Sequence, residues 1–433
     1  MATSKTTHVH TLIVGGGITG LSLAYALEQQ GMRDYVLLEA QDHVGGLCAT
    51  TEQNGYQFDF GGHLLHLHTR QGKAFVKQLL GKNLKQHTRS AFIYTNGMHV
   101  PYPFQQNLWA LHPELRALCL AGLKRIEHAK AEPENLAQWG LNAFGHGIYE
   151  AFFRPYNEKL WGRPLTELTC EWCAPFVPAP PQQAIQHSAH QRPTGKLGYN
   201  ATFYYPKQGG IGALTQALAK NLSHVKLNEP VLHVDLKQKR AYTAKQTIYF
   251  EYLANTMSLP NFVGLLENAS ALKRAAALLQ AQAVTVYHLA VAHPLPHFSW
   301  IYFPDSAQPF YRMGLQSGFS SDAVPDKATA LVYIELPGTV EQTPASEKRI
   351  WLGLHQKGLV PYEDTKLFST WQYIPHAYVL FNKQRAQAVP FLLSELAKQH
   401  VYCAGRYGKW EYSFMERSML ETQLLAQQLA KLV

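Results

Sequence analysis

The sequence predicts an α/β fold: a Rossmann-type domain, discontinuous along the chain, with an inserted helical domain and an antiparallel-sheet domain. Three observations carry this. Residues 9–39 read as strand, glycine-rich turn, helix and strand. Residues 107–175 show helical spacing, with tryptophans at 109, 139, 161 and 172. Between 284 and 335, short apolar runs of strand character follow one another. The boundaries drawn are 1–100, 206–260 and 395–433 for the Rossmann-type domain, 101–205 for the helical insertion and 261–394 for the antiparallel sheet.

The first domain opens on an apolar run, Val9 to Val14, that leads into Gly15-Gly16-Gly17-Ile18-Thr19-Gly20 and then into the helical Leu21–Leu27. A second strand, Tyr35–Leu38, ends on Glu39, 19 residues past Gly20. In this pattern Gly15 makes a tight turn and Gly17 lets backbone approach a pyrophosphate. Gly20 lets helix pack on strand, the helix N-terminus faces the phosphates, and Glu39 takes ribose hydroxyls. A second glycine pair, Gly45-Gly46 with Leu47, follows six residues after the acid, and the strand Tyr56–Asp59 runs into Gly61-Gly62-His63. Glycine pairs mark close backbone approach. This second pair resembles the FAD-binding proteins of the amine-oxidase and UDP-galactopyranose mutase superfamily, whereas nicotinamide dehydrogenases usually continue into a crossover helix here. FAD is the expected cofactor.

Composition bounds the rest. The 433 residues, 46% hydrophobic and 12% aromatic, suit two or three domains with a large core. No apolar run reaches the roughly 18 residues of a membrane span. The polar start Met1–Thr7 lacks the apolar core of a signal peptide, so the default expectation is cytoplasmic. The net charge of +9 is scattered. Its densest cluster, Lys237-Gln238-Lys239-Arg240, reads as a solvated turn between strands, so no nucleic-acid partner is expected. A modest basic excess suits an anionic substrate. Five cysteines, an odd number, argue against a disulfide framework, and Cys170 and Cys173 read as free thiols. His66 and His68 share one face of an extended segment and His63 the other, with no carboxylate or cysteine close by, so no metal is expected.

Further along, residues 74–80 suit a short helix closed by Gly81, and Ala91–Tyr94 with Met98–Val100 form a hairpin across Asn96-Gly97. Pro101–Gln105 is extended. In the helical insertion Ile148, Phe152, Tyr156 and Leu160 make one stripe, with Phe153, Asn157 and Trp161 beside it. Phe152 and Leu160 read as core, whereas a buried Asn157 amide needs partners. Pro155 starts or kinks its helix. Residues 175–193 read as loop. Asn200–Pro206 follows, then Gly209–Gly212 opens a helix to Leu222. Pro230–Leu236, Ala241–Thr243 and Thr247–Phe250 look like a meander, after which Tyr252–Asn255 returns to the first sheet. Residues 261–281 are helical. Val284–Ala292, Trp300–Phe303, Tyr311–Leu315 and Ala330–Glu335 build the antiparallel sheet. The chain closes with the strand Val401–Ala404, Gly405-Arg406-Tyr407-Gly408, and a helix from about 416 to 432.

Several segments, in order and across nearly the whole chain, resemble the UDP-galactopyranose mutase family, nearer its eukaryotic-type branch. They are Gly61-Gly62-His63, Val100–Gln105, Arg154–Asn157 with Trp161, Asn200–Phe203, Gly209–Gly212, Trp300–Pro304 with Pro309–Arg312, and Gly405–Tyr412. The resemblance implies a pyranose–furanose mutase of UDP-galactose or a related nucleotide-sugar, in a pathway such as cell-surface polysaccharide biosynthesis. Reduced FAD acts as nucleophile without net redox, after charging by a reductant such as NAD(P)H. By resemblance His63 lies beside the flavin, and Gly46, Leu47, Gly61, Gly62, Val231, Gly405 and Arg406 join the cofactor site. Arg312 takes the diphosphate. Asn200, Tyr378 and Tyr412 surround diphosphate and sugar, and Trp300 and Tyr302 lie on the substrate side. Tyr102, Phe104, Gln105, Asn157 and Trp161 form the uridine end. His63, Arg312, Tyr378 and Tyr412 form the catalytic group. A homo-oligomer is compatible with the sequence.

Two positions depart from the family pattern. Phe176 stands where the family places a second diphosphate arginine, a charged hydrogen bond worth roughly 1.5–3 kcal/mol. Arg163, Arg192 and Lys196 are the candidates to replace it. After Tyr412, Ser413–Glu416 leads directly into the last helix without the eukaryotic-type loop and its Asn-Gln-Asp-His run. The alternatives are an FAD-dependent amine oxidase or desaturase on the same scaffold, and a flavin-binding protein without catalysis.

Overall fold

The strand Lys5–Val14 lies near the middle of a seven-stranded sheet in the computed structural model, which describes residues 5–124, 132–195, 197–198, 200–361 and 365–432. It pairs in parallel with Tyr35–Leu38 on one side and with Gln246–Asn255 on the other. Tyr35–Leu38 is buried at all four positions, and Leu12 and Ile13 are fully buried. A parallel strand covered on both faces needs such an unbroken apolar run. Val225–Lys226 extends the sheet beyond Tyr35–Leu38, and the short antiparallel strands Arg240–Tyr242 and His233–Asp235 extend it the other way.

One strand, Gln246–Asn255, serves both as the third strand of the meander and as the return to the first sheet, which the sequence pattern splits in two. Its first half pairs with Arg240–Tyr242 and its second half with Val401–Cys403, along the same edge. The change of partner within the strand explains why its pattern looks discontinuous. The expected strand Pro230–Leu236 shrinks to His233–Asp235. The expected helix over 261–281 is two short ones, Leu259–Leu265 and Ser270–Ala276, after which Ala281 already starts a strand. The 175–193 loop contains the helical turn Gln182–His187.

The second sheet also has seven strands; Ala281–Val291, second from one edge, pairs antiparallel with Lys366–Val379 on the edge side and with Ala330–Pro337 on the other. Arg312–Leu315 and Trp300–Tyr302 follow. The hairpin of Ala91–Thr95 and Met98–Pro101 joins through a parallel pairing with Trp300–Tyr302. Lys366–Val379 is missing from the sequence reading, because Pro375 interrupts it. Proline is tolerated here since the strand is at the sheet's edge and its register shifts at Gln282/Val284, opposite this stretch. Two helices also went unassigned: Pro344–His355, capped by Thr343, and Lys383–Lys398, capped by Asn382.

The helical insertion contains Pro113–Lys124 and Leu136–Ile148. From the latter the chain continues through a π-turn, Tyr149–Phe153, into Arg154–Trp161, which ends at Gly162 with φ +64°. Pro155 occupies the first turn of this last segment, where its missing N–H costs least. Among the described residues, no helix is long and apolar enough to cross a membrane.

Candidate functional site

Both sheets and the helical insertion contribute to the walls of one cavity of about 530 Å³. At one end the first βα turn supplies backbone. The carboxylate of Glu39 accepts from the Gly16 N–H at 2.6 Å and the Gln41 N–H at 2.9 Å. The Gly45 N–H donates to the Gly16 carbonyl at 2.8 Å, which brings the two glycine turns together. Gly15, with φ +109°, makes the turn, and Gly20 lets the helix close on it, since a Cβ there would lie 1.9 Å from the Gly15 carbonyl oxygen. Gly15, Gly17, Glu39, Gly46 and Leu47 line the cavity; Gly20 is behind it.

The helix Ile18–Gln29 starts at Gly17 with no side-chain cap, so its first N–H groups and dipole are available to an anion. A Cβ on Gly17 would meet nothing nearer than 3.9 Å, so the space before that helix is open. Open space, uncapped helix N–H groups and a nearby carboxylate at this end suit the diphosphate and ribose of a dinucleotide.

Gly62 and His63 line the middle of the cavity. Nδ1 of His63 is buried without a hydrogen-bond partner. Burial, reinforced by the charge of Arg406, lowers its pKa to about 4, so the ring is neutral at pH 7. Gly61 and Gly405 do not line the cavity. A Cβ on Gly61 would meet Glu335, and one on Gly405 would meet Thr19. The latter close approach brings the next residue, Arg406, to the cavity wall. Val231 is a core residue away from the cavity lining.

Beyond His63 are Arg312 and Glu335, directly opposite each other on neighbouring strands. Arg312 donates from Nε and Nη2 to the two Glu335 oxygens at 2.8 and 2.7 Å, and Nη2 also reaches the Tyr378 hydroxyl at 3.5 Å. Glu335 accepts a further bond from the Gly62 N–H at 3.2 Å. Burial pushes the Glu335 pKa up, but the Arg312 guanidinium outweighs it and holds the carboxyl below its usual range. Glu335 was not singled out from the sequence, although a lone acid in the apolar run Ala330–Pro337 is a signal, because a buried carboxylate needs a partner.

Tyr378 stacks with Tyr412, their rings 6.2 Å apart and 17° from parallel. Arg406 is 4.9 Å from the Tyr412 ring, and its two terminal nitrogens donate to the carbonyls of Ala377 at 2.6 Å and Ser413 at 3.3 Å. Burial raises the Tyr378 hydroxyl to about 12, so it is a donor at neutral pH.

The helical insertion closes the far end. Both stripes line the cavity, and Phe152 and Leu160 belong at the same time to the hydrophobic core, as expected. The π-turn Tyr149–Phe153 lies in this wall, and from Phe153 the ordinary four-residue helical spacing carries Asn157 and Trp161 along the same face. Asn157 spends its donor on the Phe153 carbonyl at 2.7 Å. Tyr102, Gln105, Asn200, Trp300 and Tyr302 also line this end. Phe104 does not: it is fully buried behind Phe152, stacked on it at 5.3 Å. Arg89, another residue the sequence left unmarked, donates to Asn200 and to the Tyr102 carbonyl, and lies 4.8 Å from the Tyr102 ring. It fixes both. No periodicity announces it.

Phe176 lies edge-on to Tyr412 at 4.4 Å, beside Trp172, which contacts Tyr412 at 5.6 Å and Trp161 at 5.3 Å. Neither Arg163 nor Arg192 lines the cavity. Arg163 bonds Gln280 at 3.0 Å, and Arg192 lies over Trp109 at 5.7 Å. Lys196 lies outside the described residues.

A family model for flavin containing amine oxidoreductases matches residues 18–430. Over 168 residues the chain is 26% identical to a “probable UDP-galactopyranose mutase” of Klebsiella pneumoniae, spanning 36% of this chain and 42% of that protein. Over 157 residues it is 27% identical to protein anon-37Cs of Drosophila lebanonensis, spanning 35% and 27%. The matches thus span less than half of these relatives. Among solved structures, a reduced UDP-galactopyranose mutase superposes with a TM-score of 0.92 at 25% identity, covering 98% of this chain and 96% of that one. Cyclohexylamine oxidase from Brevibacterium oxydans superposes at 0.69 and 15% identity, covering 98% and 99%, a likeness of fold alone.

Proposed function

This chain belongs to the flavin containing amine oxidoreductase family, and we propose that within it the protein is a mutase interconverting the pyranose and furanose forms of a nucleotide-sugar, UDP-galactose or a close relative. The observation that carries the reading is Arg312, a guanidinium in the cavity wall between the flavin end and the aromatic far end. A fork of that kind suits a departing phosphate oxygen. The likeness to a reduced UDP-galactopyranose mutase over nearly the whole chain supports it.

When bound, reduced FAD would supply the nucleophile for the anomeric carbon. Gly17, Gly46 and the first helix N-terminus would hold the cofactor diphosphate, and Glu39 its ribose. His63, neutral at working pH, would add no charge beside the flavin. Arg312, held in place by Glu335, binds the leaving phosphate, and the Tyr378 hydroxyl donates alongside it. Tyr102, Gln105, Asn157 and Trp161 receive the base, so segment 101–205 serves as the nucleotide-binding domain and 261–394 supplies the charged groups at the reacting centre.

An amine oxidase is the competing reading, favoured by the aromatic wall of Tyr378 and Tyr412. A protonated amine, however, would approach two guanidinium groups, while Glu335 is already committed to Arg312. The test is redox state. Dithionite-reduced protein incubated with UDP-galactose should yield the furanose by chromatography, with many turnovers per reducing equivalent. Turnover by the oxidised protein with one peroxide per product would rule the mutase out.

A further inference from the structure

Two walls of the cavity come from different parts of the chain. Asn157 and Trp161 stand on the helix Arg154–Trp161 of the insertion, whereas Tyr302 and Arg312 face each other on neighbouring strands of the antiparallel sheet. Part of the seam between them is aromatic, with the Tyr156 ring edge-on to Tyr302 at 5.1 Å and to Tyr311 at 6.4 Å. Lys159, on the same helix but outside the cavity lining, makes a polar link across it. Its half-buried ammonium donates to the carbonyls of Phe303 at 3.1 Å and Asp305 at 2.7 Å. Both carbonyls belong to the loop that joins the two strands. The Phe303 N–H closes that loop on the Tyr311 carbonyl at 2.9 Å, and the Tyr311 N–H donates to the Glu335 carbonyl at 3.0 Å. Arg312 is the next residue. Elsewhere the insertion is tied to the other side of the sheet, by Arg163 to Gln280 at 3.0 Å and by the Thr169 N–H to the Phe381 carbonyl at 2.8 Å.

We propose that Lys159 is a positioning residue: it holds the helix that carries Asn157 and Trp161 in register with the strand that carries Arg312, so that one ligand engages both walls at once. The inference rests on the nucleotide-sugar reading, in which base and phosphate fall on different walls. An aromatic seam is held largely by burial, which has little direction. Charge-assisted hydrogen bonds from an ammonium to two carbonyls weaken steeply with distance and angle, so they fix the spacing. Two contacts made by one ligand reinforce each other only while the span between them matches. Without the Lys159 bonds each wall keeps its own contacts, and the ligand loses their combination.

The experiment is calorimetric titration of the flavin-loaded, reduced protein with uridine, inorganic pyrophosphate and UDP, in the wild type, Lys159→Met and Arg163→Met. Uridine meets the helix wall alone, pyrophosphate the Arg312 wall alone, and UDP both. Lys159→Met removes the donors at nearly constant length. It should weaken UDP about tenfold or more, the size of a lost charged hydrogen bond. Uridine and pyrophosphate should stay within about threefold of wild type, as for contacts that do not share the altered spacing. Lys159→Gln, an uncharged donor one atom shorter, should show the same pattern to a smaller degree, and it decides the matter if the Met variant does not accumulate folded. Arg163→Met, which frees the insertion from Gln280 instead, should leave all three ligands within about threefold. Equal losses for uridine and UDP in Lys159→Met would reveal a local effect on the helix wall and overturn the inference. Unchanged UDP affinity in the Lys159 variants, or an equal UDP loss in Arg163→Met, would overturn it too, and each of these leaves the nucleotide-sugar reading intact. If the wild type binds none of the three, the nucleotide-sugar reading falls and takes this inference with it.

Discussion

Arg312 and Glu335 are coupled tightly enough that neither can be altered alone without a second consequence. Arg312→Ala should weaken UDP binding to the reduced protein about tenfold or more, the size of one charged hydrogen bond. It should also destabilise the fold by about 3–5 kcal/mol, because Glu335 is left buried without its partner. Arg312→Ala with Glu335→Ala should recover much of the stability and none of the binding. Urea denaturation read beside calorimetry separates the two effects. A double variant as unstable as Arg312→Ala would show that the pair is not the source of the loss. Arg312→Lys is not conservative here, since an ammonium cannot hold both carboxylate oxygens in the observed fork.

The first βα turn makes a sharper distinction between holding cofactor and holding structure. A side chain at Gly17 would enter open space, with the nearest atom at 3.9 Å, whereas one at Gly20 would collide with the Gly15 carbonyl at 1.9 Å. Gly17→Leu is therefore expected to fold but to purify without the yellow of bound flavin. Gly20→Leu should fail to accumulate as folded protein. Circular dichroism and the visible spectrum decide between them. A yellow Gly17→Leu protein would contradict the assignment of this turn to the cofactor.

Across the whole molecule, acid should weaken the fold through histidines buried in the neutral form. His288 is fully buried, bonded through Nε2 to the Gln372 oxygen at 2.8 Å and packed on Phe58. Burial lowers its pKa from 6.5 to about 4, and His63 shows the same shift. Between those values the unfolded chain binds protons that the folded chain does not, so stability falls as pH drops from 6.5 toward 4. His288 alone corresponds to a loss on the order of 2 kcal/mol at pH 5. Glu335, held below its usual range, adds its own loss only at still lower pH. Urea midpoints at pH 7 and pH 5 measure this, and His288→Gln should show the shallower dependence. Equal slopes in the two proteins would exclude His288 as a contributor.

The first βαβ unit was legible because its signals are local: an unbroken apolar strand, glycines at fixed spacing and an acid at the end of the second strand all act within thirty-odd residues of one another. By sequence alone the family resemblance also pointed to Arg312, Tyr378 and Tyr412, which the fold brings into one wall. The sequence could not show Lys366–Val379, because only its place at a sheet edge makes Pro375 acceptable, nor that Gln246–Asn255 changes partners midway. It could not show that Glu335 sits across from Arg312, that Arg89 orders Asn200 and Tyr102, or that Phe104 backs the cavity wall instead of lining it. Those facts depend on strand register and on contacts between residues far apart in the chain. Local patterning therefore determined the glycine turn, and long-range pairing decided which charged groups line the cavity and which of them neutralise each other.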